Sequence, residues 1–118
     1  MDIMKDVNAS GYVFSVGDRD FEQKVLKATL PVIVDFSADW CPPCRVLAPV
    51  YRRLSAEYQG QLGFASVDID ENPLVYSRYR IQGAPTLIIF KDGKEVARFV
   101  GPHPGRLKRA IDDVLAEL

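Results

Sequence analysis

Both cysteines of the chain lie in one short run, Trp40-Cys41-Pro42-Pro43-Cys44, with two residues between them. An apolar run typical of a buried strand precedes this CxxC pair, and a stretch with helical periodicity follows it. The cysteines therefore fall where a strand passes into a helix. A CxxC pair at that place in a β-α-β pattern indicates a dithiol/disulfide redox site.

Helix geometry gives the two cysteines different roles. Residues three apart on a helix share a face, so the sulfurs of Cys41 and Cys44 can reach each other. Cys41 falls at the helix start, where free N–H groups and the positive end of the helix dipole stabilise a thiolate. Cys44 lies one turn further in and is expected to be more deeply buried. We therefore expect Cys41 to attack a disulfide and Cys44 to resolve the mixed disulfide.

The two prolines between the cysteines are compatible with this placement. Proline is tolerated in the first turn of a helix, where its missing N–H is no loss. A residue that precedes proline is disfavoured in the α region, which suits Cys41 as a capping residue before Pro42.

Two structural interpretations of the cysteine pair remain as alternatives. A structural zinc site needs four ligands, and the only other soft ligand in the sequence is His103. A purely structural disulfide is also possible, although so short a loop constrains the unfolded chain only slightly. Redox chemistry accounts for the pair better than either alternative.

Length and composition set the broad class. A chain of 118 residues predicts one compact domain, over residues 12–118, preceded by a flexible lead-in over residues 1–11. Fifteen basic and sixteen acidic residues argue against nucleic acid or an anionic membrane as the main partner. The start of the sequence does not have the pattern of a signal peptide, and no apolar run is long enough to span a membrane. Two cysteines in such a chain favour the reducing cytoplasm, where a CxxC pair is more often catalytic than structural.

The pattern of apolar residues predicts an α/β fold. Strands are expected at 12–16, 31–36, 62–69, 87–90 and 95–100. Helices are expected at about 18–27, from the cysteine pair through the periodic stretch 46–58, at 72–79 and at 107–115. Asp18 or Asp20 is expected to cap the first helix and Asn72 the third. Asp92-Gly93 between two apolar runs predicts a hairpin. The order implies a mixed central sheet of about five strands with helices on both faces.

Over residues 12–118 the sequence resembles the thioredoxin family. The motifs that carry the resemblance occur in the family's order: Val34-Asp35-Phe36, Trp40-Cys41-x-Pro43-Cys44, Ala84-Pro85-Thr86, Lys91-Asp92-Gly93 and Val100-Gly101. The resemblance implies the thioredoxin fold and a cytosolic protein-disulfide reductase. It also implies disulfide-containing protein substrates and a flavin-dependent thioredoxin reductase that uses NADPH. We expect a monomer with no bound cofactor and no metal.

The resemblance also assigns residues around the cysteine pair. It implies that Pro85 is a cis-proline facing Cys41 and Cys44. Trp40, Ala84, Pro85 and Gly101 would border an apolar groove for extended substrate segments, with Pro42 and Pro43 on the same substrate-binding surface. A disulfide oxidant or isomerase and a non-catalytic binding module remain the alternative functions.

Asp35 is unusual because it lies inside an apolar strand. Strand alternation places it on the same face as Ile33, and the resemblance places it beneath Cys44. We hypothesise that Asp35 accepts the proton of Cys44 during the resolving step, directly or through a water molecule. Burial of this carboxyl group is expected to raise its pKa.

The sequence departs from the family pattern at three positions. Pro42 stands where the family usually has glycine, Ser37 where it often has an aromatic residue, and Ser66 where it commonly has a lysine near the aspartate. Ser66 offers a hydrogen bond but no charge. We therefore expect the raised pKa of Asp35 to be uncompensated.

Pro42 is predicted to tune the redox potential rather than to disable the site. It stiffens the link between the cysteines and removes one N–H group from the first turn of the helix. Pro42→Gly should keep activity but shift the potential in either direction, measured as the redox equilibrium with glutathione. A 30 mV shift corresponds to about 1.4 kcal/mol. Pro104→Gly, in a different loop, is the matched control, and an unchanged potential in Pro42→Gly would contradict the prediction.

Overall fold

The computed structural model describes residues 12–118, and its five strands form one mixed sheet. The strand order is β1-β3-β2-β4-β5, with β1 and β2 parallel to β3, β4 antiparallel to β2, and β5 antiparallel to β4. This arrangement confirms the predicted fold class. The lead-in predicted for residues 1–11 lies outside the described residues. The strands are β1 Val13–Ser15, β2 Val32–Ser37, β3 Gly63–Asp68, β4 Thr86–Lys91 and β5 Lys94–Val100.

Residues 12–118 also form three α-helices and two shorter helical segments, and the last α-helix follows β5. The α-helices are α1 Pro42–Glu57, α2 Pro73–Arg78 and α3 Leu107–Ala116. The helix predicted at 18–27 is a shorter π-helical segment, Glu22–Leu26, and a 3₁₀ turn, Pro104–Arg106, precedes α3.

The alternation of β2 divides the core into two layers. Side chains at 32, 34 and 36 pack on the face covered by the π-helical segment and α2, whereas Ile33 packs on the face covered by α1 and α3. Asp35 shares the face of Ile33, as predicted, and therefore points toward α1. The second layer contains Ile33, Leu47, Tyr51, Leu54, Tyr58, Leu62, Phe64, Leu87, Ile89, Leu107 and Ile111.

The predicted hairpin joins β4 to β5. Asp92 and Gly93 have φ angles of 53° and 79°, so both central residues adopt the left-handed region that a type I′ turn requires. Glycine reaches this region without the steric cost of a Cβ atom. The Asp-Gly signal in the sequence is thereby confirmed.

The helix caps differ from the predicted ones. Asn72 occupies the N-cap position of α2 but makes no side-chain cap hydrogen bond. Its side chain instead accepts from the Asp18 N–H at 2.9 Å and donates to the Asp68 carbonyl at 2.9 Å. The Asp18 carboxylate accepts from the N–H groups of Leu74 and Val75, at 3.2 and 2.9 Å. A residue 56 positions before Leu74 therefore caps α2.

Neither predicted aspartate caps the π-helical segment. Its N-cap position is held by Phe21, without a side-chain hydrogen bond. Asp20 accepts from the Gly17 N–H at 2.9 Å and so fixes the turn that precedes the segment. Asp18 is engaged at α2, which is why it is not available as a local cap.

Tyr51 fastens α1 to the middle of the sheet. Its buried hydroxyl lies 3.0 Å from the Ile33 carbonyl of β2 and 2.7 Å from the Ala65 carbonyl of β3. One hydroxyl proton is thus shared between two adjacent parallel strands. The contact fixes the helix against β2 two residues before Asp35.

Tyr51→Phe should lower the free energy of unfolding by about 1 to 2 kcal/mol, because two buried carbonyls lose a donor while the ring is kept. Urea titration followed by circular dichroism measures the change. Tyr76→Phe, at a tyrosine that is 37% exposed, is the matched control and should change stability little. Equal stability of the two variants would contradict the anchoring role of the Tyr51 hydroxyl.

Candidate active site

Cys41 is the N-cap residue of α1. Its backbone is extended, with φ −93° and ψ 110°, and Pro42 begins the helix directly after it. The Cys44 N–H donates to the Cys41 sulfur at 3.2 Å. A hydrogen bond to sulfur at a helix N-terminus favours the thiolate, because it adds to the positive end of the helix dipole. The local structure therefore favours a thiolate at Cys41.

The two cysteine sulfurs lie at bonding distance. The Cα atoms of Cys41 and Cys44 are 5.3 Å apart, which is within the usual range for a disulfide. The arrangement follows from the three-residue spacing at a helix start and confirms that the pair can form a disulfide.

Metal binding offers no competing geometry in the described part of the chain. Within residues 12–118, no group of three or more His, Cys, Asp or Glu side chains is placed to hold a metal ion. His103, the remaining soft ligand in the sequence, is exposed, and its Nδ1 accepts from the Gly105 N–H at 3.0 Å.

The expected difference in burial between the cysteines is wrong. Cys41 is 2% exposed and Cys44 is 5% exposed, so both are buried. The loop before β4 covers Cys41, placing the Ala84 carbonyl oxygen 3.4 Å from its sulfur. Ala38 and Ile69 pack around the same pair. The two sulfurs are therefore distinguished by hydrogen bonding rather than by accessibility in this oxidised arrangement.

The loop that covers Cys41 contains the predicted cis bond. The Ala84–Pro85 peptide is cis, and Pro85 is buried. The Pro85 carbonyl accepts from the Gly101 N–H at 2.8 Å, which ties the loop to the end of β5. Ala84, Pro85 and Gly101, which are distant in sequence from the cysteines, thus form a linked group that reaches Cys41.

Trp40 lies at the surface next to the pair. It is 63% exposed, and its indole N–H donates to the Asp70 carboxylate at 2.8 Å. Trp40 and Ala84 line a recess of about 410 Å³. Pro42 and Pro43 are exposed at the start of α1, and neither they nor Gly101 line this recess. Its other lining residues are Ile69, Asp70, Pro73, Tyr76, Gln82 and Gly83.

Asp70 is a site residue that the sequence did not reveal. It lies 30 residues after Trp40, so only the fold brings its carboxylate to the indole. An exposed acidic residue after a strand carries no local signal of such a contact. Its hydrogen bond holds the Trp40 ring over the recess.

Asp35 is a buried carboxyl group on the Cys44 side of the site. It is 6% exposed, and its Oδ1 has no hydrogen-bond partner among the described residues. Burial raises the pKa of Asp35 from about 3.8 to about 7. Asp35 and Cys44 line the same recess of about 210 Å³, together with Ser37, Ala38, Asp39, Arg45 and Ala48.

Ser66 lies directly opposite Asp35 across the β2–β3 pair. It brings a hydroxyl group and no charge to that position, so it cannot offset the cost of burying a carboxylate. Ser66 therefore lies next to the aspartate, as the resemblance implied.

Comparison with known proteins shows that the chain is similar to thioredoxins. The thioredoxin family model matches residues 12–113. Thioredoxin 1 of Synechococcus elongatus is 48% identical over 90 residues, which is 76% of this chain and 84% of that protein. Thioredoxin of Pseudomonas aeruginosa is 46% identical over 78% of this chain and 85% of that protein. Thioredoxin of Rickettsia bellii is 43% identical over 75% of this chain and 85% of that protein. Within residues 12–118, no helix is both long and apolar enough to cross a membrane.

Asp35→Asn should stabilise the protein at pH 8 and change it little at pH 4. The folded-state pKa of Asp35 lies above the unfolded value, so stability is lost as pH rises from about 4 to about 7. The full rise corresponds to about 4 kcal/mol above that window. At pH 8 the variant should recover a large part of this lost stability. The free energy of unfolding in urea at both pH values measures the gain.

Asp39→Asn, at an exposed aspartate beside the same recess, is the matched control and should show no such pH-dependent gain. A stability difference between wild type and Asp35→Asn that is the same at pH 4 and pH 8 would show that Asp35 titrates normally.

Proposed function

Since the chain belongs to the thioredoxin family, we propose that it works in the reducing direction, with Cys41 as nucleophile and Cys44 as resolving cysteine. Its Cys41–Cys44 pair carries out dithiol–disulfide exchange, and the protein is a protein-disulfide oxidoreductase. Family membership implies disulfide-containing protein substrates and a reductase partner. The observation that carries the proposed roles is the hydrogen bond from the Cys44 N–H to the Cys41 sulfur.

The first step uses the stabilised thiolate of Cys41. This thiolate attacks one sulfur of the substrate disulfide, forming a mixed disulfide and releasing the other substrate sulfur as a thiolate. The helix N-terminus lowers the thiol pKa and so increases the fraction of thiolate available at neutral pH. In this first turn the Cys44 N–H donates to the sulfur of Cys41, so this stabilising hydrogen bond belongs to Cys41.

The second step uses Cys44 and Asp35. The Cys44 thiol gives its proton to the Asp35 carboxylate across the recess that both residues line. The resulting thiolate attacks the Cys41 sulfur, forms the Cys41–Cys44 disulfide and releases the second substrate thiolate. A base with a pKa of about 7 suits this transfer, because it is partly unprotonated at neutral pH and can still hold the proton.

The substrate is proposed to lie across the surface next to Cys41. Trp40 presents an exposed ring over the recess that it shares with Ala84, and an aromatic ring gives a large apolar contact area. Gly101, which is exposed and hydrogen-bonded to the buried Pro85, is proposed to extend this surface, and Pro42 and Pro43 are proposed to extend it along the start of α1. An extended, partly apolar segment around the substrate disulfide fits such a surface.

The oxidised protein needs two electrons to act again. We propose that a flavin-dependent thioredoxin reductase supplies them from NADPH and returns the Cys41–Cys44 disulfide to the dithiol. The proposed setting is the cytoplasm, whose reducing poise keeps such a pair reduced. The protein is proposed to act as a monomer, in which Trp40 and the recess stay open to substrates.

Trapping the mixed disulfide tests the two cysteine roles. Cys44→Ser cannot resolve, so it should accumulate a covalent adduct with insulin through Cys41, visible by mass spectrometry of the non-reduced sample. Cys41→Ser is the matched control and should form at least about tenfold less adduct, because its remaining thiol lacks the stabilising hydrogen bond. Equal trapping by both variants would contradict the assignment.

Replacing both cysteines by serine separates an oxidoreductase from a binding module. The double variant should lose insulin reduction completely, with an unchanged circular dichroism spectrum. Coupling wild type to thioredoxin reductase and NADPH then tests the direction, since steady NADPH consumption with insulin requires net reduction. Failure of the reductase to regenerate the dithiol would favour an oxidant or isomerase instead.

A further inference from the structure

Three polar side chains form a row across the sheet. Ser15 of β1 is in register with Ser66 of β3, and Ser66 is in register with Asp35 of β2. Partners in register lie directly opposite each other, so the three side chains emerge on the same face. Exposure falls along the row, from exposed Ser15 through half-buried Ser66 to buried Asp35. The row therefore runs from the edge of the sheet to the buried carboxyl group.

The row lies along a recess of about 380 Å³ that is separate from the one shared with Cys44. Ser15, Ser66 and Asp35 all line it, and Val13, Ser37, Ala48, Tyr51 and Arg52 complete its wall. A space of this size with several polar partners can hold ordered water molecules. Asp35, Ser37 and Ala48 line both recesses, so the two recesses adjoin at Asp35.

The unpartnered atom of Asp35 points to a use for this second recess. Oδ1 is buried and has no hydrogen-bond partner among residues 12–118. A buried polar atom left unsatisfied is costly, whereas water in a polar recess can satisfy it. The serine hydroxyls can both donate and accept hydrogen bonds, so they can hold a chain of water molecules in either protonation state of Asp35.

We propose that the row Ser15–Ser66–Asp35 is a hydrated proton port, through which Asp35 exchanges its proton with solvent at the β1 edge of the sheet. This proposal rests on the proposed function, in which Asp35 accepts the Cys44 proton. A protein substrate bound at Trp40 and Cys41 covers the side of the site that holds the dithiol. The recess along the row is lined by neither Trp40 nor either cysteine, so it stays open during that time.

The proton balance of one cycle is complete with this route. Cys44 loses a proton to Asp35 as it becomes the attacking thiolate, and the carboxyl group passes that proton to water in the port. The two substrate thiolates take up two protons from bulk solvent, which received one proton when Cys41 ionised and one through the port. No electrons pass through the port. Ser15 and Ser66 act through Asp35 and take no part in bond formation, so they are positioning residues.

Other charged and titratable groups also face Asp35. From α1 these are Cys44, Arg45, Tyr51 and Arg52, and from the segment before α1 it is Asp39.

The Tyr51 hydroxyl is committed to the Ile33 and Ala65 carbonyls, and burial keeps the pKa of Tyr51 well above 10. Tyr51 therefore holds its proton and does not compete with Asp35. The residues facing Asp35 from β3 and β4, Ser66 and Leu87, carry no charge.

The matched pair Ser66→Val and Ser66→Thr tests the port. Both substitutions introduce a β-branched side chain of nearly the same size, but only threonine keeps the hydroxyl. The resolving step is measured in a single turnover at pH 7, by acid quenching and mass spectrometry of the mixed disulfide. Insulin serves as the substrate that covers the site, and 5,5′-dithiobis(2-nitrobenzoate) as the small disulfide that leaves it open.

Ser66→Val should resolve the insulin adduct about threefold to tenfold more slowly than Ser66→Thr, as expected for impaired proton transfer. The two variants should resolve the small-disulfide adduct at equal rates. Equal rates with insulin would overturn the port, and so would an equal slowing with both substrates, which indicates a general defect of packing. Ser15→Val and Ser15→Thr repeat the comparison at the exposed end of the row, where folding is least at risk.

Asp35→Asn in the same experiment separates the two proposals. If it slows resolution with both substrates while the serine variants behave alike, the port fails and the role of Asp35 stands. If it resolves at the wild-type rate, the proposed proton acceptor fails and the port fails with it. A larger solvent isotope effect with insulin in Ser66→Val than in Ser66→Thr would support a proton-transfer defect.

Discussion

The hydrogen bond from the Cys44 N–H to the Cys41 sulfur is the interaction on which the site depends. It exists only because α1 begins at Pro42, so that the first turn directs its free N–H groups at the preceding residue. That start is fixed in turn by β2, which ends at Ser37, and by Tyr51, which holds α1 against the sheet. The position of the Cys41 sulfur therefore depends on both the sheet and the start of α1.

A second constraint is the buried carboxyl group of Asp35. A charge at this position lowers stability at neutral pH. The alternation of β2 nevertheless places the Asp35 side chain on the sheet face that α1 covers, among apolar side chains. Ser37 and Ser66 leave space and hydroxyl groups around it, and burial is the cause of its raised pKa.

The sequence predicted the parts of this protein that depend on local pattern. Continuous apolar runs located the central strands, Asp92-Gly93 located the hairpin, and the CxxC pair located the helix start. The resemblance supplied the cis bond at Pro85. Features that arise from contacts between distant segments were missed or predicted wrongly. The burial of Cys41 depends on the Ala84 carbonyl 43 residues away, and the Trp40 hydrogen bond depends on Asp70. Neither contact has a local signal, because each needs the register of the sheet.

The capping of α2 by Asp18 has a consequence for exchanging parts between relatives. The helix carries Pro73 and Tyr76, which form one wall of the recess beside Trp40, and Asp18 satisfies the helix's first N–H groups from the loop after β1. Asn72 closes the same junction by accepting from the Asp18 N–H. A chimera that takes β1 and the following loop from one thioredoxin and α2 from another therefore loses these hydrogen bonds unless Asp18 and Asn72 come from the same parent. The loop after β1 and the start of α2 are distant in sequence, but they have to be exchanged as one unit.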